Sequence, residues 1–117
     1  MRTFAFAKDI VALCRWLDQS PGVSRTLANQ LLRSGTSIGA NVEEGQASQS
    51  RADFVAKYSI ACKDARETNY WLRLLVASAI GDRESVERLV DESNQLISIL
   101  TAIIKTTRSN TERRARV

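Results

Sequence analysis

Histidine is absent from this 117-residue chain, and with it the commonest general base and the commonest metal ligand. Proline occurs once and glycine five times, too rarely for a loop-rich sandwich or a collagen-like repeat. Two cysteines are too few for a zinc site or a disulfide-dense scaffold. The longest apolar runs, such as Leu74 to Ile80, fall far short of the roughly 20 residues that span a bilayer. Lys8 and Asp9 interrupt any apolar region a signal peptide would need. The expectation is a cytoplasmic domain with no cofactor and no metal, and not an enzyme. What is present is a 44% apolar content, which supports a real core and excludes disorder. The length suits one domain and not two.

Breakers and caps divide the chain into four helices. The first runs from about Thr3 to Asp18 and stops before Ser20-Pro21-Gly22. The second starts near Ser24, read as its N-cap, and runs to about Ala47. The third follows Ser50, with Asp53 three residues on as an acidic variant of the capping box, and ends at Ile80-Gly81. Asp82 caps the fourth, which runs to about Thr107. The four-helix domain is therefore placed at residues 1–107. Residues 108–117 lack apolar periodicity and read as a frayed basic tail. Short links between long helices predict an all-α, antiparallel up-down-up-down bundle.

The helices carry more apolar surface than one stripe. In the first, Phe4, Phe6, Ile10, Val11, Leu13, Cys14 and Leu17 cover an arc of about 180°, where a single buried face needs about 100°. Trp16 lies outside even that arc. In the third, Phe54, Tyr58, Ala61, Ala65, Leu72 and Val76 form a core stripe. Ile60, Asp64, Glu67, Trp71 and Leu74 lie opposite, where a lone protomer would leave Ile60, Trp71 and Leu74 in water. Trp16, Ile60, Trp71 and Leu74 are thus expected at an interface between copies. The alternative is a fourth helix that wraps further round and covers that face. Cys14 and Cys62 fall on apolar faces and read as buried free thiols.

Glycines and polar residues in the second helix invite chemical readings that fail. Gly35, Gly39 and Gly45 have no Gly-Lys-Ser/Thr beside them and no strand before them, so neither a P-loop nor a dinucleotide fingerprint fits. Gly35 and Gly39 read as close helix approach, and Gly45 as a C-cap or kink. Ser37, Asn41 and Glu44 form a polar line beside the core stripe, and Asn69 lies within the core arc of the third helix. They read as hydrogen-bonded structural groups, with Asn41 and Glu44 reaching across helices. Glu43 and Glu44 point about 100° apart and cannot act as a pair.

Charge is concentrated at one end. The net charge is +4, and Lys105, Arg108, Arg113, Arg114 and Arg116 against Glu112 account for all of it. These five cations are the candidate nucleic-acid contacts, through backbone phosphates. A solvated solubility tail is the plain alternative. No aromatic residue lies among them to stack on bases. Arg66 and Arg73, seven apart on the third helix, make a second basic stripe that meets either nucleic acid or the acids of a neighbour.

The run from Gln30 to Gly45, with Ser37-Ile38, Asn41 and Glu44-Gly45 in order, resembles the signature of the 23S rRNA intervening-sequence protein family. Phe54, Tyr58, Ile60-Ala61 and the segment Lys63 to Leu75 are similar to that family's third helix. The likeness covers about residues 4 to 104. The family commonly has proline where this chain has Gly39, and often histidine where it has Asn69. The resemblance implies a cytoplasmic bacterial protein that assembles as a homopentamer of four-helix protomers. Together these readings give a non-enzymatic oligomeric bundle that binds RNA or another nucleic acid electrostatically. The alternative is a protein-interaction scaffold or accessory subunit with no nucleic-acid role.

Overall fold

The computed structural model describes residues 2–116, with side chains up to Arg114. Met1 and Val117, the outer ends of the expected domain and tail, lie outside the described residues. Four helices follow one another: α1 (Arg2–Leu17), α2 (Val23–Gln46), α3 (Arg51–Ala77) and α4 (Arg83–Arg116), with no strand among the described residues.

Local chemistry sets most of the boundaries. Pro21 and Gly22, the latter at φ 93°, break the chain after α1. The second helix starts at Val23 without a side-chain cap, so Ser24 already lies in its first turn and is not the N-cap. At α3, Ser50 is extended and its side chain accepts the Asp53 amide at 3.1 Å. This helix ends at Ala77, before Ile80-Gly81, because a Schellman turn closes it. The Ile80 amide reaches the Leu75 carbonyl and the Ala79 amide that of Val76, with Ala79 left-handed at φ 56°. Asp82 then caps α4, its carboxylate accepting the Ser85 amide at 3.0 Å and the Ser85 hydroxyl at 2.7 Å. Those two bonds hold the Asp82 carboxyl below its ordinary range.

The expected frayed tail is corrected: α4 continues past Thr107 to Arg116. Once a helix is nucleated, each added residue brings one backbone bond, so an apolar face is not required to extend it. Thr107 and Thr111 also hydrogen-bond back to the carbonyls of Ile103 and Thr107.

Packing follows the chain. The third helix lies between α2 and α4, while α1 rests on α2 and barely touches α4. Partners run in opposite numerical order along neighbouring helices. Arg33, Asn41 and Glu44 meet Glu67, Asp64 and Lys57, and Cys62 and Asn69 meet Thr101 and Ser93. The core joins Phe6, Ile10 and Leu17 of α1 to Leu31 and Ile38 of α2, then to Leu72 and Leu75 of α3 and Leu96 and Leu100 of α4. The result is a rod of 58 × 21 × 21 Å.

Two glycines set helix spacing. A Cβ on Gly35 would stand 2.8 Å from a methyl of Ile10, so α1 and α2 touch through that gap. A Cβ on Gly45 would stand 2.7 Å from the Tyr58 ring, itself stacked on Phe54 at 4.1 Å. Gly45 is therefore a packing residue inside α2, and the C-cap is Ala47. Phe4 and Val11, part of the wide apolar arc of α1, are 66% and 37% exposed. With α4 standing off, α1 buries only the narrower stripe Thr3, Phe6, Ile10, Cys14 and Leu17.

Candidate nucleic-acid interface

The pairing of α3 with α4 builds a groove of about 630 Å³ in which cations from both helices meet. Lys63 and Arg66 project from α3, and Lys105 and Arg108 from α4. Ser59, Cys62, Thr101, Ile104 and Ser109 fill the floor and walls, and Glu112 is the lone acid in the lining. None of the four cations makes an ion pair among the described residues. The pairs present lie elsewhere: Arg2–Glu92, Arg25–Asp18, Arg33–Glu67, Lys57–Glu44 and Arg83–Glu87. Four unneutralised cations around one concavity give a local positive potential suited to phosphate oxygens.

Lys105 and Arg108 thus belong to the groove and not to a tail. Arg113 and Arg114 are exposed on the last turns of α4, outside the groove lining. Arg116 closes the helix, and its side chain lies outside the described residues. Lys63 was not among the expected contacts. Its signal was the Lys63–Arg66 spacing of three, which puts both on one helix face. Arg73 turns away from the groove lining. Its Nε donates to Asn69 Oδ1 at 2.8 Å and its guanidinium lies 5.9 Å from the centre of the Tyr70 ring.

Of the polar residues read as structural, Asn41 and Asn69 sit between helices. Asn41 Nδ2 donates to the Ser37 carbonyl at 3.0 Å and to Asp64 Oδ2 across the α2–α3 seam at 3.4 Å. Burial, then the nearby Glu67, push the Asp64 carboxyl up. Ser37 bonds within its own helix, to the Arg33 carbonyl. Glu44 faces Lys57 at 4.0 Å on the exposed rim. Asn69 is buried and donates to Ser93 Oγ at 2.9 Å and Asn94 Oδ1 at 3.1 Å, tying α3 to α4.

The four apolar residues expected at an interface separate into two kinds. Trp16 is 56% exposed in a cleft between α1 and α4 lined by Asp9, Leu13, Arg88 and Leu89. Ile60 is 45% exposed. Trp71 and Leu74, expected in water, are instead partly buried within the protomer. The indole N–H of Trp71 donates to Glu67 Oε2 at 3.1 Å, and Glu67 also binds Arg33 of α2. The Glu67–Arg33 link puts Trp71 beside the side of α3 on which α2 packs.

Both thiols are free. Burial pushes Cys14 up to about 11, and Cys62 lies 3.5 Å from the Thr101 hydroxyl. Among the described residues no group of three or more acidic or cysteine side chains could hold a metal ion. Nor is any helix long and apolar enough to cross a membrane.

Among curated proteins no match to the chain is found. Five solved chains match it. One is a protein of unknown function from the S23 ribosomal protein family of Bacteroides thetaiotaomicron. It is 43% identical, with a TM-score of 0.82, over 89% of this chain and 95% of that one. The model of the 23S rRNA-intervening sequence protein family matches residues 1–102, which takes in α1, α2, α3 and most of α4. The likeness carried by Ser37, Asn41, Glu44 and the α3 segment therefore extends over the helical body, and the chain belongs to the 23S rRNA-intervening sequence protein family.

Proposed function

We propose that the protein is a non-enzymatic, self-associating helical bundle that binds RNA through backbone phosphates. The observation that carries this reading is the α3–α4 groove, where Lys63, Arg66, Lys105 and Arg108 converge without ion-pair partners among the described residues. Arg113, Arg114 and Arg116 extend the same charge along α4. The family name points toward a ribosomal RNA context and agrees with such a ligand. Phosphate contacts hold the nucleic acid without reading its sequence. The opposite numerical order of contacts supports an antiparallel up-down-up-down protomer, and two free thiols suit the cytoplasm.

Binding to a single-stranded RNA oligonucleotide, titrated at several salt concentrations, tests the reading. Four neutralised phosphates give a log–log slope of about −3. A Lys105→Gln, Arg108→Gln variant is expected to have a slope shallower by about 1.4. Affinity independent of salt, or no binding in dilute buffer, removes the proposal.

Self-association rests on the apolar groups that one protomer leaves uncovered, Phe4 and Trp16 of α1 foremost. Five copies is the number implied by the likeness read from the sequence. Light scattering is expected to return about five times the 13.0 kDa protomer mass, and a protomer mass would discard this part. The Trp16 cleft also favours a second reading, in which a protein partner docks between α1 and α4. Normal partner capture by a protein that binds no RNA would select it.

A further inference from the structure

We infer that Tyr70 is a base-stacking platform beside the phosphate groove, so that the RNA bound is single-stranded. The inference rests on the groove reading and goes beyond it, because phosphate contacts alone do not distinguish paired from unpaired strands.

Tyr70 is 51% exposed, on the outward face of α3. Arg66 stands four residues before it and Arg73 three after, so one helix face presents cation, aromatic ring and cation in order. Arg66 is also a groove residue, which places the ring next to the proposed phosphate track. The ring is held. Trp71 meets it edge-on, with centroids 5.1 Å apart and planes at 75°. The Arg73 guanidinium lies 5.9 Å from its centre.

Arg73 is itself anchored. Its Nε bonds to Asn69, and Asn69 is buried and tied to Ser93 and Asn94 of α4. Asn69 is therefore a positioning residue: it holds the cation that orders the ring and contacts no ligand itself. A tyrosine braced by Trp71, with Arg73 over its ring, and still half exposed loses little freedom when a base stacks on the open part of the ring. Phosphates on either side of that base would find Arg66 and the remaining N–H donors of Arg73. In a duplex the bases are stacked on each other and offer no free face, so the ring contributes only to unpaired strands.

The test compares a single-stranded oligouridylate with a duplex RNA of the same length, for the wild type and for Tyr70→Ala and Tyr70→Phe. Tyr70→Ala is expected to weaken oligouridylate binding roughly 5- to 150-fold, with duplex binding and the salt slope unchanged. Tyr70→Phe is expected to bind like the wild type, since stacking needs the ring and not the hydroxyl. Equal oligouridylate affinity for Tyr70→Ala, an equal loss on the duplex, or failure of phenylalanine to substitute would overturn the inference alone. A wild type that binds neither RNA would remove the groove reading and this inference together.

Discussion

Replacing Arg66 and Arg108 together by glutamate is expected to weaken RNA binding by roughly a hundredfold or more, because each arginine–phosphate contact contributes about 1.5–3 kcal/mol. Reversal also places two carboxylates beside Glu112, so the groove repels the phosphates it previously drew in. Both side chains are exposed and outside the core, so the urea unfolding midpoint should stay where it is. Reversing Arg113 and Arg114, outside the groove lining, is expected to have a smaller effect. If the two pairs weaken binding equally, charge alone matters and the groove does not. If the Arg66, Arg108 variant keeps full affinity, the phosphates go elsewhere.

Gly35→Ala is expected to destabilise the protomer by about 1–2 kcal/mol, against the usual direction for an alanine in a helix. Alanine gains about 1 kcal/mol over glycine from backbone entropy. The new methyl, however, meets Ile10 at 2.8 Å, and Ile10 is fully buried with nowhere to retreat. Overpacking of this kind costs about 1–3 kcal/mol. The upper part of that range applies, because the methyl meets the base of a β-branched side chain, with Ile10 Cγ1 at 3.0 Å and Cβ at 3.3 Å, and not a flexible tip. Gly39→Ala is the control one turn further along. Its methyl would find its nearest neighbour, Thr3, at 3.4 Å, so the helix gain should leave it neutral or slightly stabilised. Urea melts of the two variants decide the matter, and a Gly35→Ala protein as stable as the wild type would show that the α1–α2 spacing is adjustable.

These two cases show what could be read before the structure. Gly35 was legible as close approach because glycine inside a helix is costly and needs a reason. Its partner Ile10 was not, since spacing along one helix says nothing about the register of the next. Ser50 and Asp82 were legible as caps because their chemistry is local. The end of α4 was not, because its last turns persist by propagation and carry no apolar stripe to mark them. Trp71 was misplaced for a different reason. A helical wheel identifies faces but not how many neighbours flank them, and α3 has a helix on each side. The groove combines both kinds. Lys105 and Arg108 stood out by charge, and Arg66 by its spacing from Arg73. Only the packing of α3 on α4 brings them together, with Lys63, around one hollow.

The continuation of α4 to Arg116 changes what its cations can do. On a floppy tether, Lys105, Arg108, Arg113 and Arg114 would each adapt to whatever polyanion came near, and each would surrender freedom on contact. On a helix their backbone positions are fixed, three, five and one residues apart at about 1.5 Å per residue. The backbone part of that loss is already met when the chain folds. On the proposed function, polyanions whose charges match those fixed positions are expected to be favoured over others of equal charge density, through rigid geometry and without any base being read.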